Sequence, residues 1–249
     1  MNTKGLILKF FDSRYANIDE VVSFVQKSEP NLDRKTIIWT VNELVKQNKA
    51  TRVGRGIYSF VPKAVYKPKI TKQAVELSDI IQDNFKYVTA TISDTAWLNE
   101  FMLLQPFSSV TEVEVNEPAV EPLVSMLRQK NFDAFSKKNS NAAIKYSVTA
   151  QPIIVSKLMD TNALIPYSKA IRMAGLEKVL VDLVCDAEIY GQYQGAELEN
   201  IYRNSTEKYA VNYSRILQYA AKRGRKKQVE ELLMKTKEYK SIRSKLYDK

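Results

Sequence analysis

The stretch Asn31–Phe60, NLDRKTIIWTVNELVKQNKATRVGRGIYSF, constrains the fold of this chain more than any other. Ile37, Ile38, Val41, Leu44 and Val45 recur at helical spacing, so they share one face of a helix that runs to about Asn48, with Asn31 or Asp33 as its cap. Directly behind it, Ala50–Val53 and Ile57–Phe60 are short β-prone runs joined by Gly54-Arg55-Gly56. Glycines on both sides of a turn accept positive φ, so the pair predicts a hairpin. Upstream, Leu6, Ile7, Phe10 and Phe11 mark a first helix. Asn17 caps a second, with Asp19 and Glu20 in the first turn, where the helix dipole favours acids. Three helices and a hairpin in this order predict a winged helix-turn-helix over residues 1–62.

The outward face of the third helix is expected to carry Lys35, Thr36, Trp39, Thr40, Glu43 and Lys46. A large aromatic among polar residues has two readings. Trp39 packs against the hairpin or a second domain, or it touches a thymine methyl or a sugar while Lys35 and Thr36 reach base edges or phosphates. Arg52 and Arg55 on the hairpin are placed to meet phosphate or the minor groove. Residues 1–62 hold ten Lys and Arg against six Asp and Glu, the sign a phosphate-facing module requires. The candidate DNA contacts are therefore Lys35, Thr36, Trp39, Thr40, Lys46, Arg52 and Arg55.

At 249 residues, with 45% hydrophobic content, the chain has room for two domains with cores. Its net charge of +10 favours a polyanionic partner. Much of that excess sits at the two ends, with eleven Lys and Arg against four acids from Lys222 to Lys249. Within that tail Lys222, Arg223, Arg225, Lys226 and Lys227 form a second basic patch, read either as phosphate contacts or as a solvated helix end. The absence of histidine removes His-based triads, histidine metal sites and the commonest general base. The single cysteine, Cys185, excludes an internal disulfide and a cysteine-rich zinc site, and reads as a small buried hydrophobe. No apolar run approaches the ~20 residues that cross a bilayer, and the N-terminus lacks a signal-peptide pattern. These features predict a cytoplasmic protein with no membrane partner, no cofactor and no metal.

Residues 63–72 carry Lys but no acid, and predict an extended basic linker to a second domain over residues 73–249. There, Lys72–Asn84 predicts a helix, Tyr87–Ile92 a strand and Thr95–Leu104 a helix. Val110–Val115 alternates like a half-buried strand. Pro118 opens a helix to about Lys130, and Phe132–Phe135, Ile144–Val148 and Ile153–Val155 are further short strands. From Leu176 the pattern is helical: LEKVLVDLVCDAEIY, AELENIYRNS, NYSRILQYAAKRG and KKQVEELLMKTKEYKSIRSKL. Gly224 ends one of these helices. The expected fold class is α+β: a winged helix-turn-helix, then a mixed α/β domain that closes in a helical bundle.

Carboxylate pairs raise the question of an enzyme. Glu112 and Glu114 lie two apart on a strand, and Asp182 and Asp186 one helical turn apart. Such pairs can hold magnesium. No lysine follows Glu114 at nuclease spacing, however, and no glycine-rich phosphate loop appears. Solvated charge is the expectation for all four. Lys178 and Asp182 are an i, i+4 pair that reads as a surface salt bridge worth tenths of a kcal/mol, or with Glu177 as part of a functional surface. Tyr209, Tyr213 and Tyr219 read as packing residues, with base stacking open.

Two segments resemble a known family. LVKQNKATRVGRGIYSF is similar to the winged-helix end of AbiEi-type antitoxins, and GLEKVLVDLVCD, through Glu177, Lys178, Leu180, Val181, Asp182 and Leu183, to a helix of that family's C-terminal domain. YAVNYSRILQYAAKRGRKKQVEELL is similar to its closing helices. The resemblance implies a type IV antitoxin of an abortive-infection system. Its winged helix would bind double-stranded operator DNA and repress its own operon. Its C-terminal domain would counter a nucleotidyltransferase-like toxin without stable contact. Stand-alone winged-helix regulator with a ligand-sensing or dimerising domain, and metal-dependent nucleic-acid enzyme, are the alternatives.

Overall fold

The computed structural model describes residues 2–139, 147, 149 and 151–247. Helix α1 spans Thr3–Phe10. Strand β1, Tyr15–Asn17, leads into α2, Ile18–Ser28, which opens with a reciprocal capping box between Asn17 and Glu20. Helix α3, Arg34–Lys46, buries Ile37, Val41 and Leu44 against α1 and α2. Strands β2, Thr51–Gly54, and β3, Ile57–Ser59, form the expected hairpin, with Gly56 supplying the positive φ of +72°. β3 sits between β1 and β2 in an antiparallel three-stranded sheet.

The basic segment after the hairpin is extended, yet it is fixed along the second half of the protein. Lys63 Nζ donates to the Thr206 carbonyl at 2.6 Å, Ala64 bridges Tyr209, and Tyr66 is buried against the rings of Phe101 and Tyr209. It then reaches α4, Lys72–Asn84, capped by Thr71. The second half is built on a six-stranded mixed sheet. Its strands are β4 (Ala90–Asp94), β5 (Thr111–Val115), β6 (Ala134–Ser136), β7 (Ile153–Lys157), β8 (Leu164–Pro166) and β9 (Ile171–Ala174). They lie in the order β6-β7-β5-β4-β9-β8. β5, β6 and β7 run parallel, as do β4 and β9, while β4–β5 and β8–β9 are antiparallel. Helix α5, Val120–Gln129, packs on β6 and β7. The chain closes with α6 (Leu176–Cys185), α7 (Ala196–Lys208), α8 (Tyr213–Lys222), α9 (Lys226–Leu233) and α10 (Lys237–Tyr247). The fold is α+β.

Several elements differ from expectation for identifiable reasons. Thr95–Phe101 is 3-10 rather than α-helical, opened by Asp94 accepting the Ala96 amide. α6 stops at Cys185 rather than Tyr190, and the closing basic run breaks at Met234–Thr236 into two helices, where Thr236 Oγ1 donates to the Leu233 carbonyl. β1, β8 and β9 have no expected counterpart. The strand expected over Ile144–Val148 lies outside the described residues except for Ser147. β5 is buried on both faces rather than one, because β4 and β7 flank it in mid-sheet.

The two halves share packing. Most of the N-terminal module has its own apolar core, but Val53 and Ile57 of the hairpin join the core of the second half. A Cβ on Gly54 would fall 2.7 Å from Leu246 Cδ2 and 3.2 Å from Ser214 Oγ, so the hairpin lies hard against α8 and α10.

Candidate nucleic-acid interface and a buried charge cluster

Helix α3 turns Lys35, Thr36, Trp39 and Lys46 to solvent, and Trp39 is 59% exposed. The indole is therefore more open to solvent than packed. Its neighbour is Lys4, whose Nζ lies 6.0 Å from the ring centroid. Lys46 pairs with Glu43 at 2.8 Å. Thr40 corrects the expectation. It is 5% exposed and its Oγ1 donates to the Thr36 carbonyl at 2.8 Å. It stands three residues after Ile37 and four before Leu44, which places it on the core stripe.

Arg34 joins Asp19 at 2.6 Å, so α3 and α2 begin side by side. The Gly56 carbonyl accepts the Ile18 amide at 2.8 Å, which brings the hairpin turn to the same end. The side chains of Arg52 and Arg55 are exposed. Their backbones are held by α8: Asn212 Nδ2 donates to the Arg52 carbonyl at 2.9 Å, and the Arg55 amide donates to Ser214 Oγ at 3.1 Å.

The second basic patch is divided by the fold. Arg225, Lys226 and Lys227 are exposed around Gly224, whose φ is +69°. Lys222 pairs with Asp160 at 2.6 Å. Arg223 turns inward, with Nη1 on Asp182 at 2.6 Å and Nη2 on Asp186 at 2.8 Å, and so is not available to phosphate.

That inward turn leads to the least expected feature of the second half. Glu112, Glu114 and Asp182 are buried, not solvated. Lys178 is 0% exposed and lies 2.7 Å from Glu114 and 2.5 Å from Asp182. It is therefore neither a surface salt bridge nor a surface for a partner. Lys137 reaches Glu112 at 3.4 Å and Asp186 at 3.0 Å. Tyr190 and Ser156 donate to Glu112 at 2.9 and 3.0 Å, and Tyr219 donates to Asp182 at 2.8 Å. The reason is geometric. Glu112 and Glu114 project from one face of a mid-sheet strand onto the face of α6 that carries Lys178 and Asp182, one turn apart.

Burial opposes the charge on Lys178, yet Asp182 and Glu114 hold it well above the ordinary lysine value. Burial likewise opposes ionised Glu112, but Lys137 and Lys178 keep its carboxyl below the usual range. Glu114 goes the other way: burial, with repulsion from Glu112 and Asp182, outweighs Lys178 and pushes it up to about 7. Burial raises Asp182 as well. Four carboxylates thus face three cations, and the excess negative charge is relieved by proton uptake at the least compensated carboxylate.

Glu177, beside Lys178, accepts the Asn212 amide at 3.0 Å and so holds the start of α8. Tyr213 and Tyr219 are buried packing residues. Cys185 is half-buried, and burial pushes its thiol up to about 11. Sequence reasoning missed Lys137, Ser156 and Tyr190, and misassigned Arg223. Each meets its partner across 25 to 78 residues, and only the Lys178–Asp182 spacing left a local trace. Among the described residues no group of three or more His, Cys, Asp or Glu is placed to hold a metal ion. No helix among them is long and apolar enough to cross a membrane. A cavity of about 370 Å³ opens at the ends of β6 and β7, lined in part by Ser136, Lys137, Lys138, Ser156 and Lys157.

Fold and site together define an α+β protein whose helix-and-hairpin module is welded to a sheet domain with an ionic interior. Residues 36–239 match a family described as a family of unknown function (DUF6577), and the chain belongs to that family. The match begins inside α3 and continues through the hairpin to α10, so it spans both halves. No curated protein matches the chain.

Proposed function

We propose that this protein is a DNA-binding repressor that reads duplex operator DNA with α3. The observation that carries the reading is the solvent-facing Lys35, Thr36, Trp39 and Lys46 on a helix whose opposite face is locked into a core. The element order α1-β1-α2-α3-β2-β3 is that of a winged helix, and the turn bearing Arg55 arrives beside the start of α3. The test is binding of the full chain to the duplex upstream of its own gene, followed by anisotropy over a salt series. Lys35→Ala with Trp39→Ala should weaken binding tenfold or more, and Lys35→Ala alone should reduce the salt slope by about 1. Unchanged affinity and slope would remove α3 from the interface.

The AbiEi-like resemblance extends this proposal to a cytoplasmic type IV antitoxin that represses its operon and counteracts a nucleotidyltransferase-like toxin through its C-terminal half. Lys178 and Asp182 lie in the interior, so a toxin-directed surface must use other residues. A stand-alone regulator with a ligand-sensing domain is the second reading, favoured by the cavity at β6 and β7, whose lining mixes Lys137, Lys138 and Lys157 with Glu117 and Glu121. A toxin-like reading frame next to this gene separates the two. Engagement of Glu112, Glu114, Asp182 and Asp186 by Lys137, Lys178 and Arg223 in the interior supports a non-catalytic protein, since each of those carboxylates already has a cation beside it.

A further inference from the structure

We infer that the DNA-contacting surface continues from the hairpin turn onto α8, where Arg215 and Lys222 meet the duplex backbone. This rests on the DNA-binding reading above and adds to it a contribution from the second half.

Helix α8 begins where the hairpin turns. Asn212 and Ser214, at its first residues, hold the Arg52 carbonyl and the Arg55 amide, and Gly54 leaves no room between them for a side chain. The helix N-terminus, with its partial positive charge, therefore stands beside Arg55. Along α8, Ile216, Leu217, Tyr219 and Ala220 face the core, while Arg215, Gln218 and Lys222 are exposed at i, i+3 and i+7. The helix contains no acidic residue. Seven residues at 1.5 Å rise place Arg215 and Lys222 about 10 Å apart along the axis, within reach of separate phosphates of one duplex.

The ridge is also held in place. Glu177 accepts the Asn212 amide at one end of α8. Tyr219 and Arg223 are tied to Asp182 and Asp186 at the other. With the hairpin and the ionic interior gripping it from both ends, α8 cannot swing independently of the turn that bears Arg55. Among the described residues, the carboxylate paired with the ridge is Asp160, 90% exposed, on Lys222. Such a solvent-screened pair is worth little and yields readily to a phosphate.

The experiment measures binding of the full-length chain to the upstream duplex and to a scrambled duplex from about 50 to 300 mM salt. Arg215→Ala with Lys222→Ala should reduce the salt slope by nearly 2 on both duplexes, leave the preference between them unchanged, and leave the melting temperature near wild type. Arg215→Lys should retain the slope, because it keeps the charge. A double variant with wild-type slope and affinity, alongside a weakened Lys35→Ala/Trp39→Ala protein, would overturn this inference and leave the α3 reading intact. Failure of the wild type to bind either duplex would overturn both.

Discussion

Placing an ammonium group in a protein interior costs several kcal/mol unless surrounding carboxylates offset it. Lys178 meets that condition with Glu114 and Asp182 in direct contact. The remaining imbalance falls on Glu114. Its value rises from 4.5 to about 7, so the folded protein binds a proton that the unfolded chain releases between those limits. The stabilisation linked to that proton is complete below about 4.5 and lost by about 7, so it grows as pH falls from 7. Glu114→Gln removes the titration. The melting-temperature gap between wild type and this variant should therefore shift in favour of wild type as pH is lowered from 8.5 to 5.5. A gap constant across that range would mean that Glu114 keeps an ordinary carboxylate value.

At the scale of elements, α6 is the organiser. It opens at Gly175, whose amide donates to the Ala163 carbonyl at 2.8 Å and whose missing Cβ would fall 2.8 Å from that same oxygen. The glycine of GLEKVLVDL is thus required by a backbone, which cannot step aside as a side-chain tip can. Gly175→Ala should destabilise by about 1–3 kcal/mol, the usual range for overpacking, read from urea denaturation. A change below half a kcal/mol would show that β8 and the Ala163 loop give way freely. From its first turn α6 sends Glu177 to the start of α8 and Lys178 into the ionic interior, so one helix positions both the ridge and the cluster.

At the scale of the molecule, the boundary between the halves is not where composition changes. Residues 63–72 look like a solvated tether, yet Lys63, Ala64 and Tyr66 are bound to α7, the Phe101 segment and Tyr209. A fragment beginning at Lys63 should therefore be more stable than one beginning at Lys72 by about 1.5–3 kcal/mol, the worth of burying one large side chain. Chemical denaturation of the two fragments checks this. Equal stabilities would restore the segment to the role of a linker.

Local chemistry made much of the architecture legible. The period of Ile37, Val41 and Leu44, the Asn17–Glu20 capping box, the glycine turn at 54–56 and the stripe of α6 are effects of neighbours within a few residues, where propensity and periodicity speak. The candidate DNA face followed from the same period, with Thr40 misplaced because it sits on the edge of the core stripe. What only the tertiary structure decided is the environment of charge. Glu112, Glu114, Lys178, Asp182 and Arg223 look solvent-bound as letters, since charged residues are rarely buried. Their burial depends on partners brought in from distant strands and helices, and composition carries no record of those distances. The docking of the Gly54–Arg55 turn on α8 is of the same kind. The hairpin at the heart of Asn31–Phe60 was readable from its own residues, but its docking partner is a helix whose Ser214 lies 159 residues beyond the Arg55 amide it accepts.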